Sequence, residues 1–215
     1  IDTTKTMSTV IVDFQKNFLQ IINNLDSISG NYRLSLVSFT DIVTIHTLLD
    51  AGCVSNSITN TPLAAFLTSL NSIITNEDGS IPDNSDGALE SILNGDAGLW
   101  RDNAFKVIIL ITDSLPGGTQ GIFNNDIKER VNSLSVQAGS CGINIISVNT
   151  GIGTLDTIIR SVMENYATQS NGRYIENTIG TNIYAFVDSF FRNLCEPSDN
   201  ICINSVINSS FDTNV

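Results

Sequence analysis

The sequence predicts an α/β protein: a three-layer α/β/α open sheet, mostly parallel, with helices on both faces. Three observations carry that reading. Helix-period and strand-period apolar patterns alternate along the chain, as they do where strands are joined by crossover helices. The segment Phe105 to Ile111 is an unbroken, β-branched apolar run, which suits a parallel strand covered on both faces. Oxygen-rich polar clusters follow the predicted strands directly, at the edge where open α/β sheets gather ligands.

The elements follow in order. Met7, Val10, Ile11, Phe14, Phe18, Ile21, Ile22 and Leu25 recur at helical spacing, so an amphipathic helix starts immediately after the acidic opening. Gly30-Asn31 ends that connection, and residues 32–39 read as a buried strand. Val43, Ile45 and Leu49 alternate with polar residues and indicate a half-exposed strand. After a Ser/Thr/Asn-rich loop at 51–62, Pro62 opens a helix carrying Leu63, Phe66, Leu67, Leu70, Ile73 and Ile74. Residues 77–87 have loop chemistry, and a short helix with Leu89, Ile92 and Leu93 follows. Beyond the strand at 105–111 come a helix near 125–138, a strand at 143–148 and a helix near 155–167. A short strand at 173–175 then precedes a last helix bearing Ile183, Phe186, Val187, Phe190, Phe191 and Leu194. The expected domain spans residues 1–195, with its first strand largely missing before Ile1, and 196–215 reads as a polar tail or linker.

A chain of 215 residues that is 41% hydrophobic can bury one sizeable core. Its net charge of −12 argues against nucleic acid, which needs a basic footprint, and against anionic membrane surfaces. The same charge suits the capture of cations. No apolar run approaches membrane-spanning length, so no direct membrane insertion is expected. With no signal peptide present, the sequence reads as a mature protein or a segment of a longer one. The four cysteines lack the C-x-x-C spacing of a zinc site and leave two readings open: reduced core thiols, or disulfides in a secreted protein. Cys195 and Cys202 flank a polar loop that a disulfide closes easily, while a Cys53–Cys141 pair stays open. Together with the sequon Asn208-Ser209-Ser210, this sets the expected location as extracellular or at the cell surface.

Three polar clusters lie where the fold rule places a site. They are Asp2, Thr4 and Thr6; Asp78, Asp83 and Asp86; and Thr112-Asp113-Ser114. A carboxylate capping a buried strand is costly unless it is hydrogen-bonded or paired with a cation. Hard oxygen donors without sulfur or imidazole select Mg2+, Mn2+ or Ca2+ over zinc. Plainer readings stand beside this one: a helix N-cap for the first cluster, and solvated turn residues for Asp78 and Asp86. His46, the sole histidine, suits a structural or solvent-facing role. No Gly-x-Ser-x-Gly elbow accompanies it, Gly151-Ile152-Gly153 lacks the third glycine of a dinucleotide fingerprint, and Thr4 stands where an Asp-based phosphatase needs a second carboxylate. An enzyme is not expected.

The segment Asp2-Thr3-Thr4-Lys5-Thr6 resembles the D-x-[ST]-x-[ST] signature of the metal-ion-dependent adhesion site, or MIDAS, of von Willebrand factor type A (vWA) and integrin I domains. Ile111-Thr112-Asp113 resembles that family's second signature, a hydrophobic strand ending in Thr-Asp. The stretch from Pro82 to Leu89 resembles the Pro-Glu-containing loop of integrin β-type and related A domains, with Asp83 at the glutamate position, and Trp100-Arg101 is also similar to that branch. The resemblance implies a Rossmann-like sheet and a metal, Mg2+ (or Mn2+/Ca2+), held by Asp2, Thr4, Thr6, Asp83 and Asp113. Thr4 and Thr6 would coordinate through hydroxyls, and Asp2 and Asp113 directly or through water. Asp83 is shorter than glutamate and would act through water, with Asp86 as the competing candidate. Ser8 and Thr9 replace the acidic residues of an adjacent regulatory site, so no second metal is expected. One open coordination position would take a carboxylate from a protein ligand presenting an acidic side chain, coupled to a shift of the helix at 181–194. The expected function is therefore extracellular, cation-dependent protein binding or adhesion. The alternative is a structural module of an extracellular matrix or filament, self-associating and with a vestigial metal site.

Overall fold

The computed structural model describes residues 1–28, 32–49, 62–76, 82–151 and 157–176. Asp78, Cys53, Cys195, Cys202, the helix expected at 181–194 and the tail at 196–215 lie outside the described residues.

Five helices and five strands are present among them: α1 (Ser8–Ile28), β1 (Leu36–Phe39), β2 (Val43–Thr47), α2 (Pro62–Ser72), α3 (Ser85–Asn94), β3 (Lys106–Thr112), α4 (Asn125–Ser140), β4 (Ile143–Asn149), α5 (Thr157–Gln169) and β5 (Arg173–Glu176). Local chemistry sets several boundaries. The Asn84 side chain accepts a hydrogen bond from Gly87 N and starts α3 inside the segment that sequence pattern alone reads as loop. Asn124 caps α4 in the same way through Ile127 N. Gly172 turns the chain from α5 into β5, where a side chain would collide with the Ile145 backbone.

β3, β4 and β5 form a parallel sheet in that order, with Ile108 opposite Ile145 and Val148 opposite Ile175. β1 and β2 form an antiparallel pair. The first residues of the chain join the two. Ile1 N donates to Val37 O (2.8 Å), Phe39 N to Ile1 O (3.1 Å) and Thr3 N to Phe39 O (2.9 Å), a parallel ladder. On the other side Asp2 N donates to Ile111 O (2.9 Å). Ile1 to Thr3 thus occupy the strand position between β1 and β3, and the structure is mixed α/β with β2 as the antiparallel member.

Alternation along the central strands sends side chains to two separate cores. Ile111 on β3 and Ile146 and Val148 on β4 pack with Met7, Ile11, Phe14 and Phe18, and with Leu63, Phe66 and Leu70 of α2. Phe18 stacks on Phe66 with ring centroids 5.0 Å apart. Ile108, Leu110, Ile143 and Ile145 pack instead with Leu89 of α3, Val131 and Leu134 of α4, and Val162, Met163 and Tyr166 of α5. Among the described residues no helix is long and apolar enough to cross a membrane.

Ile145 and Ile146 are both fully buried yet belong to different cores. Ile145→Val and Ile146→Val are each expected to cost about 0.5–1.5 kcal/mol in urea unfolding. The double variant should lose roughly the sum, because the two side chains pack in different cores.

Candidate metal centre

Asp2 is placed by backbone before its side chain does anything. Its amide is held by Ile111 O and its carboxylate is fully buried. One oxygen, Oδ1, accepts from Thr4 N (2.8 Å) and Thr4 Oγ1 (2.8 Å), and Oδ2 accepts from Thr112 Oγ1 (2.7 Å). Thr4 Oγ1 also lies 3.2 Å from Thr6 Oγ1. The chain then enters a single 3-10 turn, Lys5–Met7, whose N-cap position Thr4 occupies without capping it. The Thr4 hydroxyl therefore faces Asp2 and Thr6 rather than the free amides of this turn.

Thr112, at the end of β3, links the first cluster to the third. Its hydroxyl donates to Asp2 and accepts from Ser114 N (3.1 Å), so the turn carrying Asp113 is fixed relative to Asp2. Asp113 itself is half-buried, with the Thr6 hydroxyl beside it. The second loop arrives between two others. Asp83 N donates to Leu115 O (2.9 Å), Gly117 N donates to Asp83 O (2.7 Å), and Asn84 N donates to Thr40 O in the β1–β2 turn (2.8 Å).

Asp83 is the anomaly. Its residue is buried, and neither carboxylate oxygen has a hydrogen-bond partner. Ser114 and the Asp2 carboxyl stand beside it without bonding geometry. Burial first, and the Asp2 charge second, push the Asp83 carboxyl up to about 7. Burial also raises Asp113; the Asp2 charge adds to that and the Thr6 hydroxyl opposes it. The Asp2 charge thus reaches both Asp83 and Asp113, although the sequence scatters the three over 112 positions.

Among the described residues no three acidic, imidazole or thiol groups converge tightly enough to hold an ion by themselves. The donor set is mixed: carboxylates from Asp2, Asp83 and Asp113 with the hydroxyls of Thr4 and Thr6. Such all-oxygen donors fit a hard divalent cation, and an orphaned buried carboxylate is the feature that such a cation relieves.

Asp86 does not share this volume's chemistry. It is fully buried in the first turn of α3 and not a solvated turn residue. Oδ1 accepts from Gly118 N (2.9 Å) and Oδ2 pairs with Arg130 Nη1 of α4 (2.6 Å), whose Nη2 reaches Glu90 Oε2 (2.7 Å). That triad was not visible to sequence reasoning, because Arg130 is 44 residues from Asp86 and looks like any charged residue on an amphipathic helix. His46 is half-buried, with Nε2 2.8 Å from Ser38 Oγ, a satisfied structural histidine. Cys141 is an exposed free thiol.

No protein-family model matches the chain, and no curated protein matches it in sequence. Solved structures do. Proximal thread matrix protein 1 of the mussel byssus superposes with a TM-score of 0.60 at 13% identity, covering 91% of this chain and 46% of its own. This chain thus spans about half of the mussel protein. Another structure of that protein, described as having a zinc-occupied MIDAS motif, gives a TM-score of 0.58 at 13% identity, with 91% and 46% coverage. The VWA domain of SpRpn10 matches at TM-score 0.56 and 10% identity, over 86% of this chain and 89% of that one. BatB from Bacteroides thetaiotaomicron matches at TM-score 0.57 and 12% identity, over 90% and 95%. The fold of this chain is that of the von Willebrand factor type A domains.

Proposed function

We propose that the chain is a three-layer α/β/α binding module that takes a divalent cation, Mg2+ (or Mn2+/Ca2+), at Asp2, Thr4, Thr6, Asp83 and Asp113. Its partner is a protein presenting an acidic side chain, in an extracellular or cell-surface setting. The observation that carries this reading is Asp83, a buried carboxylate with both oxygens unpartnered beside two further carboxylates. Isolated buried charge is retained against a cost of several kcal/mol only where something offsets it. The bound cation would supply positive charge and an open position for one more oxygen. Asp2, Thr4 and Thr112 hold the donor geometry through their mutual hydrogen bonds. The site is read as binding rather than catalytic.

A second reading has its own support. The mussel protein that shares the fold is a thread matrix protein. A module of that kind could act as an extracellular matrix or filament component through flat contacts and self-association, with the metal site vestigial. The two readings separate on one measurement. In the leading one, Mn2+ titration followed by electron paramagnetic resonance gives one saturable site, and Asp113→Ala weakens it at least about tenfold while the chain stays folded. No saturable Mn2+ binding, with concentration-dependent self-assembly, favours the structural reading.

The Asp83 carboxyl also sets a pH signature. Its folded value of about 7 lies above the 3.8 of an ordinary carboxyl, so the folded state holds an extra proton between those values. Stability from this group is greatest below about 4, declines as pH rises towards 7 and is flat above. Asp83→Asn should therefore gain melting temperature relative to wild type as pH rises from about 5 to 7.5 in chelator. Millimolar Mg2+ should erase that gain, since cation binding stabilises only the wild-type site. A constant difference across pH would remove Asp83 from the role assigned here.

A further inference from the structure

The buried acid next to the site is the one that has a cation. Asp86 stands three residues after Asp83, at the start of α3, and its two oxygens serve different elements. Oδ2 takes the Arg130 guanidinium of α4, and Arg130 extends its second nitrogen to Glu90 one turn further along α3. This fork clamps α3 against α4. Oδ1 accepts from the amide of Gly118, in the loop that leaves β3. Gly118 has φ +57, a conformation that side chains rarely adopt, and its Cα faces Ile127, Arg130 and Asp86. One residue earlier, Gly117 N is bonded to Asp83 O, and Asp83 N to Leu115 O. The loop bearing Asp113 and the loop bearing Asp83 are thus stitched together at residues 83 and 115–118, and the stitch is anchored on α4 through Asp86.

We propose that Asp86 and Arg130 form a positioning device that sets the spacing between Asp83 and Asp113, without either residue touching the cation. This rests on the metal-binding reading given above. Two opposed effects decide its sign. Arg130 places positive charge close to an acidic cluster, so by charge alone its loss strengthens cation binding, and the loss of Asp86 weakens it. If the pair acts through position, both losses weaken binding, because either one frees the Gly118 amide or the carboxylate that holds it.

The test uses the full chain and Mn2+ itself. Asp86→Ala and Arg130→Met are each expected to raise the Mn2+ dissociation constant about 10- to 100-fold. Arg130→Lys, which keeps charge but loses the fork, should lie between wild type and Arg130→Met. It also serves if Arg130→Met, which strands a buried carboxylate, does not fold. In metal-free protein, hydrogen exchange at the Gly117 and Gly118 amides should quicken at least about tenfold in Asp86→Ala, with exchange in β4 unchanged. Tighter Mn2+ binding in Arg130→Met, or unaltered exchange at Gly117 and Gly118, overturns the positioning role. A wild-type chain that takes up no Mn2+ overturns the metal reading instead, and the exchange measurement then judges the loop coupling alone.

Discussion

Everything at the carboxyl end of β3 depends on one short ladder. Ile1 to Thr3 bond to β1 on one side and to β3 on the other, and no other described segment joins those strands. The same residues that bridge the antiparallel pair and the parallel sheet place Asp2 beside the end of β3. Its amide is fixed by Ile111 and its carboxylate by Thr112, the next residue of the same strand. Backbone pairing therefore sets side-chain chemistry directly, with no flexible linker between them. A one-residue slip of this segment would exchange Asp2 for Ile1 or Thr3 and turn the carboxylate to the opposite face.

That placement forces an electrostatic conflict. A strand end between two apolar cores is a poor solvent for charge, yet Asp2 is fully buried there and its charge reaches Asp83 and Asp113. Asp2 is satisfied internally by three donors. Asp83 has none, and it keeps its place because its backbone is bonded on both sides. The fold thus holds an unfavourable side chain in position by favourable main-chain hydrogen bonds. Strain kept at a site and offset elsewhere is how structures prepare for a ligand.

Much of this was legible in the sequence, and the limits have physical causes. The apolar run ending at Thr112-Asp113 announced β3 and its polar cap, since a continuous β-branched segment has few other uses. The helical period from Met7 onward fixed α1. The α/β architecture followed from alternation, although the antiparallel β1–β2 pair did not, because alternation within a strand says nothing about its direction. Asp2, Thr4, Thr6, Asp83 and Asp113 were picked from motif resemblance, and the structure brings them to one region. What stayed hidden was compensation. Asp83 and Asp86 look alike in the sequence, two acids in one polar loop, and Asp86 even has the better helix-start position. Only three-dimensional pairing shows that Asp86 is committed to Arg130 and Gly118 while Asp83 is committed to nothing.

That contrast gives the site its logic. Two fully buried acids three residues apart have the same desolvation problem, and the fold solves it for one of them only. The acid outside the site receives an internal cation and becomes part of the scaffold. The acid inside receives none and stays available. Had Arg130 reached Asp83 instead, Asp86 would be the stranded acid and the charge of the cluster would be offset from within. Withholding the guanidinium from Asp83, while using it one helical turn away to fix the loops, lets rigidity and unsatisfied charge coexist within a few residues. A site of this kind is specified as much by which pairs are left unmade as by which are formed.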